Sequence, residues 1–237
     1  MKKKVVLASL LLILILVIFL NAFQFFTRSA NSDLLSDLEG TIYFTERVDG
    51  ILTLFKSDAS LQHKTLVYSH KGKGNDGYGD FNDNIIDFYY DRTSETFTFI
   101  AMNNGSWSLF SLKAGESNPT VLQADVMEMG TDYLQNENQD LSVTSKKGSL
   151  YLSENGNESI LKKFNGIYDE KFTGYDSIGF SPNGNYLVYR SMEHFTPIGT
   201  ILEGIFADSV GNTYILDLST RESTKFIDAH QIQWVMD

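Results

Sequence analysis

The side chains best suited to bind an ion lie in the polar loop that precedes Ile85. Asp76, Asp80 and Asp83 could offer hard carboxylate oxygens to calcium. Their spacing does not match an EF-hand loop, because Ile85 stands where the glycine of that loop belongs when counting begins at Asp80. Two interpretations remain, a calcium site on these three aspartates and a polar connecting loop without a ligand, and the sequence favours the loop.

Residues that could act as catalysts are few and scattered. The chain has four histidines and no cysteine, which excludes thiolate metal ligands, cysteine nucleophiles and disulfide bonds. It contains no nucleophile elbow, His-Glu-x-x-His motif, phosphate loop or dinucleotide-binding fingerprint. The histidines at 63, 70, 194 and 230 are predicted on strand ends and loops, where a solvated side chain is the ordinary case. The sequence therefore favours a protein that is not an enzyme and predicts no cofactor apart from the calcium interpretation.

A second candidate site is the apolar segment between residues 191 and 210. Phe195, Ile201, Ile205 and Phe206 make this segment too apolar for a disordered loop in water. The spacing of Ile201, Ile205 and Phe206 suits one face of a short helix. The segment is either a lid packed on its own domain or a docking surface for another protein or the membrane.

The chain begins with three lysines and an apolar segment, residues 5–26. Its 22 residues, at about 1.5 Å each, reach roughly 33 Å as a helix, enough to cross a hydrocarbon core. We predict an uncleaved signal anchor; in the alternative, a cleaved signal peptide, neither Ala22 nor Ala30 has a small residue at the other key position. The lysines place the N-terminus in the cytoplasm. The predicted parts are an anchor (1–27), a juxtamembrane linker (28–39) and an extracytoplasmic domain (40–237).

Charge is strongly unequal along the chain. Four of the 19 basic residues lie at or before Arg28 and all 30 acidic residues lie beyond it, so the remainder carries a net charge of −15. Such a surface repels nucleic acid. It suits cationic partners or divalent ions, although solubility alone also explains it. A cysteine-free exported domain is common in bacterial envelopes.

From Gly40 onward, short runs of β-branched and aromatic residues alternate with turn residues, and no long helical stripe follows. The best hairpin signal is Ile178–Arg190, where Pro182-Asn183-Gly184 separates two strands. An order of four strands recurs along the chain. The third strands are predicted to begin near Ile51, Trp107, Ser159 and Thr213, at separations of 56, 52 and 54 residues.

The two ends of the domain complement each other. The first copy of the repeat has strands near Thr41, Ile51 and Lys64 but no strand before them, and the chain closes with the isolated strand Ile232–Asp237. We predict that this last strand pairs with Thr41–Thr45 and closes a ring, which removes exposed sheet edges.

The segment GFSPNGNYLVYRS, followed by GNTYILDLST, resembles the repeat of TolB-like propeller proteins. The resemblance is best over residues 178–218. The same repeat occurs in the propeller domains of prolyl-oligopeptidase-type proteases. It implies a β-propeller and no catalytic residue, because the motif is a structural turn and the chemistry of those proteases lies in a separate hydrolase domain.

We therefore expect an all-β fold, a small propeller-like domain of about four antiparallel blades, closed by the C-terminal strand and preceded by one transmembrane helix. Rigid propellers present many loops, and binding residues concentrate on such loops. The predicted function is a membrane-anchored, extracytoplasmic module that binds another protein. The alternatives are a carboxylate-based hydrolase or lyase acting in the propeller channel, and a structural subunit of the envelope.

Overall fold

The computed structural model describes residues 9, 11–19, 32–71, 83–129, 141–165, 168, 173–192, 213–227 and 229–236. Residues 11–19 are helical, and a short helix follows at Ser32–Ser36. None of the helices among these residues is both long enough and apolar enough to span a membrane.

The rest of the described chain forms antiparallel strands in four sheets, which confirms the predicted all-β class. Sheet 1 contains, in spatial order, β15 (Gln231–Val235), β1 (Thr41–Val48), β2 (Ile51–Asp58) and β3 (Thr65–Tyr68). Sheet 2 contains β4 (Ile85–Asp91), β5 (Thr96–Asn103), β6 (Ser106–Lys113) and β7 (Thr120–Ala124). Sheet 3 contains β8 (Leu141–Lys146), β9 (Ser149–Glu154) and β10 (Asn157–Lys162). Sheet 4 contains β11 (Gly174–Phe180), β12 (Tyr186–Met192), β13 (Thr213–Asp217) and β14 (Ser223–Lys225).

Tight two-residue turns fix the register of several hairpins. At the β1–β2 turn, Asp49 and Gly50 have φ angles of 50° and 89°, and Asn104 and Gly105 at the β5–β6 turn have φ angles of 50° and 89°. Positive φ at both central residues is typical of the hairpin turn whose twist matches that of the flanking strands. The strands consequently pair without slippage, as in the continuous register from Thr96 to Asn103 in β5.

The C-terminal strand pairs with β1, as the sequence predicts. Ile42 lies opposite Trp234 and Phe44 lies opposite Ile232. The indole Nε1 of Trp234 donates a hydrogen bond to the carbonyl oxygen of Glu39 at 2.8 Å. This bond ties β15 to the residues that lead into β1. The strand that sheet 1 lacks in its own part of the sequence is therefore supplied from the opposite end of the chain.

Three apolar clusters join neighbouring sheets. The cluster between sheets 1 and 4 includes Ile42, Phe44, Val188, Ile215, Ile232 and Trp234. The cluster between sheets 1 and 2 includes Tyr43, Leu54, Phe88, Tyr90, Phe97 and Phe99. The cluster between sheets 3 and 4 includes Leu150, Leu152, Leu161, Tyr175, Leu187 and Tyr189. Among the described residues, no apolar cluster joins sheets 2 and 3.

The segment predicted as a juxtamembrane linker reaches this core. Leu35 and Leu38 are 8% and 6% exposed and belong to the cluster between sheets 1 and 4. Leu34 packs against the same cluster. Residues 32–38 are thus held against the four-sheet body by apolar contacts.

The sheets meet in a repeated way. We call β15, β4 and β11 the leading strands, because each comes first in the order of its sheet. The start of β15 contacts the end of β12, since Arg190 donates to the oxygen of His230 at 2.7 Å. The start of β4 contacts the β1–β2 turn, since the amide of Leu52 donates to Asn84 at 2.6 Å. Each of these two leading strands therefore begins beside the end of the second strand of the neighbouring sheet.

The same rule corrects the predicted alignment of sheet 3. The amide of Tyr175, at the start of β11, donates to the oxygen of Gly148 in the β8–β9 turn at 2.9 Å. This contact is so close that a Cβ atom on Gly174 would lie 2.4 Å from the Cα of Gly148. Strands β8, β9 and β10 therefore occupy the second, third and fourth positions, and the third-position strand begins at Ser149, not near Ser159 as predicted. Within the described residues, sheet 3 has no leading strand.

The two ends of the sheets differ in their connections. At one end, which we call the connection end, the leading strands begin and the second strands finish. Residues 69–84, 163–173 and 193–212 start and finish there, as the strand bounds show. At the opposite end, the short-turn end, the described connections are brief, such as residues 92–95 between β4 and β5 and residues 181–185 between β11 and β12.

Candidate functional site

Two arginines lie near His230 at the connection end, where sheets 4, 1 and 2 meet. Arg190 lies near the end of β12, on the same face of the strand as Val188, whose side chain packs towards sheet 1. Arg47 lies near the end of β1. The amide of His230 donates to the oxygen of Thr45 at 2.7 Å and so continues the pairing of β1 with β15.

Each guanidinium is held by a main-chain oxygen. Arg190 Nη2 donates to the oxygen of His230 at 2.7 Å. Arg47 Nη1 donates to the oxygen of Gly50 in the β1–β2 turn. Within the described part of the chain, neither arginine forms an ion pair with a carboxylate. The arginines are therefore oriented by the backbone while their charges stay uncompensated by an ion pair.

His230 responds to these charges. Partial burial lowers the pKa of its imidazole below the ordinary value of 6.5, and the positive charges of Arg190 and Arg47 lower it further. The negative charge of Asp87 acts in the opposite direction. The imidazole is consequently neutral at neutral pH, and its pKa depends on the charges around it.

Asp87 is tied to β15 through glutamine side chains. Gln231 Nε2 donates to Asp87 Oδ1, and Gln231 Oε1 accepts from the amide of Phe88 at 3.1 Å. Gln233 is 5% exposed; its Oε1 accepts from the amide of Tyr90 at 2.6 Å and its Nε2 donates to the oxygen of Tyr90 at 2.9 Å. These amides satisfy main-chain groups along the free edge of β4 and hold the two leading strands at a fixed distance.

The residues that the sequence proposes for calcium are only partly described. Asp83 is half-buried and lies two residues before β4, whereas Asp76 and Asp80 lie outside the described residues. The neighbouring Asn84 is buried and accepts the hydrogen bond of the Leu52 amide. No group of three histidine, aspartate or glutamate side chains that could hold a metal ion occurs in the described part of the chain.

The four predicted docking residues, Phe195, Ile201, Ile205 and Phe206, also lie outside the described residues. Their segment joins β12 to β13 at the connection end, three residues after Arg190. The docking segment proposed from the sequence therefore attaches to the same end of the molecule as Arg190 and Arg47.

A cleft of about 500 Å³ lies at the short-turn end, between sheets 3 and 4. Its polar lining includes Glu154, Asp217, Ser219 and Arg221. Burial would raise the pKa of Asp217, but hydrogen bonds from Ser219 and from the backbone of Thr220 outweigh it, and the net effect is a lowered pKa. Asp217 accordingly stays ionised and accepts hydrogen bonds within its own turn, whereas a general acid must hold a proton.

Sequence reasoning missed Arg47, Arg190, Gln231 and Gln233. The sequence could have indicated the arginines, because each is a basic residue near the end of the second strand of its sheet, in a strongly acidic chain. No local signal reveals the glutamines, since their partners in β4 are more than 140 residues away.

No protein-family model and no curated protein matches the chain. Similar solved structures include TolB from Acinetobacter baumannii, at 10% identity and a TM-score of 0.28, with 78% of this chain and 41% of that chain covered. A prolyl endopeptidase structure is similar at 9% identity and a TM-score of 0.23, with 86% and 32% covered. The chain thus spans less than half the length of either structure. These are the two groups of proteins whose repeat the sequence resembles. The all-β assignment made above rests on this chain's own strand order and register.

Proposed function

We propose that this protein is a binding module, tethered to a membrane through residues 5–26, whose four-sheet body is a propeller closed by β15. The observation that carries this proposal is the contrast between the two ends of the sheets. Three long segments, residues 69–84, 163–173 and 193–212, start and finish at the connection end, whereas the described turns at the other end are short. Binding residues concentrate on loops that a rigid scaffold positions.

The tether also predicts which end faces the membrane. Residues 32–38 pack on the body, and the chain enters β1 through Glu39 and Gly40 at the short-turn end. Only residues 27–31 then separate the apolar segment from the body, a reach of roughly 20 Å when extended. The short-turn end consequently lies close to the bilayer, and the connection end points away from it, towards a partner in the extracytoplasmic space.

Three described carboxyl groups do not suit the hydrolase alternative. The pKa values of Asp58, Asp91 and Asp217 are all lowered. For Asp58, hydrogen bonds and the charge of His63 outweigh the effect of burial and bring the pKa to about 2. A general acid in glycosidic or related chemistry needs a raised pKa.

Photocrosslinking from two matched positions tests the binding proposal. The chain has no cysteine, so single cysteines can be placed without further changes. Lys71→Cys puts a crosslinker at the exposed start of a connection-end segment, and Ser117→Cys puts it in the exposed β6–β7 turn at the short-turn end. In intact membranes we expect one discrete protein adduct from position 71 and none from position 117. Equal adducts from both positions, or no adduct from position 71, would refute the proposal.

A further inference from the structure

Positive charge is concentrated in one sheet of this acidic protein. Residues 141–165, which contain sheet 3, hold four lysines and two glutamates. Residues 83–129, which contain sheet 2, hold seven acidic and two basic residues. Acidic and basic residues are equal in number, three of each, in the described stretches of sheet 1 and of sheet 4, which are residues 41–68 with 229–236 and residues 173–192 with 213–227. In the described part of the chain, sheet 3 is therefore the sheet with a positive net charge.

The four lysines lie at one end of sheet 3. Strand β8 finishes at the connection end, and the β8–β9 turn and the end of β10 lie there as well. These three places carry Lys146, Lys147, Lys162 and Lys163. Residues 166–173 add two acidic residues and one basic residue, so residues 141–173 together still have a positive net charge. The two glutamates of the sheet lie at or beyond the β9–β10 turn, away from the lysines in the strands.

Strand pairing brings the lysine-bearing segments side by side. Lys146 lies opposite Ser149, the first residue of β9. On the other side of β9, Lys162 lies opposite Leu150, so Lys163 comes beside Ser149. Residues that face each other in neighbouring antiparallel strands have Cα atoms about 4.5–5.5 Å apart. The backbone of the two segments is therefore separated by the width of one strand.

Both segments are fixed to the body by their backbone. Lys147 and Gly148 form the β8–β9 turn with φ angles of 50° and 79°. The oxygen of Gly148 accepts the amide hydrogen of Tyr175 at 2.9 Å, and a Cβ atom on Gly148 would lie 2.7 Å from the ring of Phe164. The amide of Phe164 in turn donates to Ser149 Oγ at 3.0 Å. The lysines are consequently displayed on a closely packed scaffold, of the kind on which binding residues are often found.

Two of the four lysines point their charges away from the sheet. Lys146 is paired with Glu158, and Lys162 lies over two tyrosine rings at 5.0 and 5.3 Å from their centroids. Lys147 and Lys163 are exposed. We call the four residues together the lysine surface, with Lys147 and Lys163 as its accessible members.

We propose that the lysine surface binds an acidic segment of a protein partner. This inference rests on the proposed function and specifies the chemistry of the partner at the connection end. An acidic segment is repelled by the rest of the domain, which beyond Arg28 carries a net charge of −15, and is attracted at this surface. Charge then sets where and in which orientation the partner docks.

The same charges argue against other polyanions. A protein that binds nucleic acid usually presents a long basic stripe on a basic domain, whereas these lysines occupy the end of one sheet in an acidic domain. An anionic membrane surface is not the partner either, because the proposed function directs the connection end away from the bilayer. An acidic stretch of protein is short enough to contact the lysine surface alone.

Fluorescence anisotropy of the full chain in a neutral phosphatidylcholine nanodisc tests the surface directly. The probe is a labelled oligo-glutamate peptide, and the comparison probe is an oligothymidine with the same number of charges. We expect saturable peptide binding that weakens when sodium chloride is raised, because salt screens exposed charges. Lys147→Glu together with Lys163→Glu should weaken it by about tenfold, since each substitution replaces an attraction with a repulsion.

A matched pair of substitutions controls for the change in net charge. Lys56→Glu together with Lys113→Glu reverses two exposed lysines in sheets 1 and 2 and should leave peptide binding almost unchanged. Lys147→Arg together with Lys163→Arg keeps the charge and should retain binding. The proposal is overturned by the absence of saturable binding, by equal weakening in the control pair, by loss of binding in the arginine pair, or by tighter binding of oligothymidine than of the peptide.

Crosslinking separates the failure of this inference from the failure of the proposed function. In the Lys71→Cys background, the glutamate substitutions at positions 147 and 163 should remove about nine-tenths of the partner adduct, as tenfold weaker binding implies. The control pair at positions 56 and 113 should keep the adduct. An undiminished adduct in the first variant would overturn the lysine surface and leave the binding module intact. No adduct from the parent Lys71→Cys protein would overturn the proposed function itself.

Discussion

Sheets 1 and 3 each draw only three strands from their own stretch of sequence, yet the two sheets differ in what completes them. Sheet 1 gains β15 from the C-terminus and takes part in two apolar clusters. Sheet 3 has no leading strand among the described residues and takes part in one. Strand β8 is correspondingly exposed along most of its length, whereas β1 is buried at four consecutive positions.

The contrast shows what a leading strand contributes. Beyond its pairing with β1, β15 presents Ile232 and Trp234 to sheet 4 on one face and Gln231 and Gln233 to sheet 2 on the other. One strand thereby links three sheets. An open groove of about 380 Å³ lies on the face of sheet 2 that points away from sheet 1. It is lined by Tyr89, Thr98, Leu109 and Gln123, among others.

The largest expected effect is the loss of Trp234. This side chain is 5% exposed, stacks on Phe226 at 5.9 Å and bonds to Glu39. Truncation of a buried tryptophan costs about 3–5 kcal/mol, a large part of a domain's usual stability of about 5–15 kcal/mol. Trp234→Ala should therefore lower the free energy of unfolding of the whole body, measured by urea denaturation and circular dichroism. Deletion of residues 232–237 should lower it at least as much.

Ile160 of sheet 3 is the matched control for that experiment. It is 56% exposed and lies opposite Tyr151 in the adjacent strand. Ile160→Ala should change the free energy of unfolding by less than about 0.5 kcal/mol. Equal losses from the two variants would show that the described difference between sheets 1 and 3 does not govern stability.

The second expected effect concerns the polar link from β15 to β4. Gln233→Met keeps the length of the side chain but leaves the amide and the oxygen of Tyr90 without their partner. Each buried main-chain group left unsatisfied costs about 1–3 kcal/mol. The loss should appear in urea denaturation and, more specifically, as faster amide hydrogen exchange at Tyr90. Unchanged exchange at Tyr90 would argue that water replaces the glutamine and that the strands are not held by it.

The strands follow from local sequence rules and the closing pair follows from the order of the repeats, whereas the arrangement of sheet 3 and the contact of Arg190 with His230 follow from neither. Alternation of apolar residues and turns such as Asp49-Gly50 specify hairpins over a few residues. The strands β8 to β10 fit positions one to three as well as positions two to four, because each choice gives the same hairpins. The contact of Tyr175 with Gly148 decides between them. Arg190 and His230 are 40 residues apart, so their contact depends on how whole sheets pack.

The smallest expected effect is a pH dependence at the junction of sheets 1 and 2. His70 follows β3 and is 5% exposed; its Nε2 lies 2.7 Å from the oxygen of Met102, and its ring centroid lies 5.0 Å from that of Phe110. Burial lowers the pKa of His70 below 6.5, although the Met102 oxygen and the charge of Asp83 oppose the shift. As the pH falls through about 6.5, the unfolded chain binds a proton that the folded chain does not. Stability is therefore complete above that pH and declines below it.

Urea denaturation at pH 7.5 and pH 5.5 measures this decline. The experiment belongs in a His230→Gln background, because the pKa of His230 is also lowered. The pKa values of Asp58, Asp91 and Asp217 are lowered, so these three carboxylates stay ionised throughout this range. His70→Gln should reduce the stability at pH 7.5, because the aromatic cluster loses a ring, and it should flatten the dependence on pH. If stability still depends on pH in the same way after this substitution, the titrating group lies elsewhere. His70 would then not be one of the contacts that join sheet 2 to sheet 1.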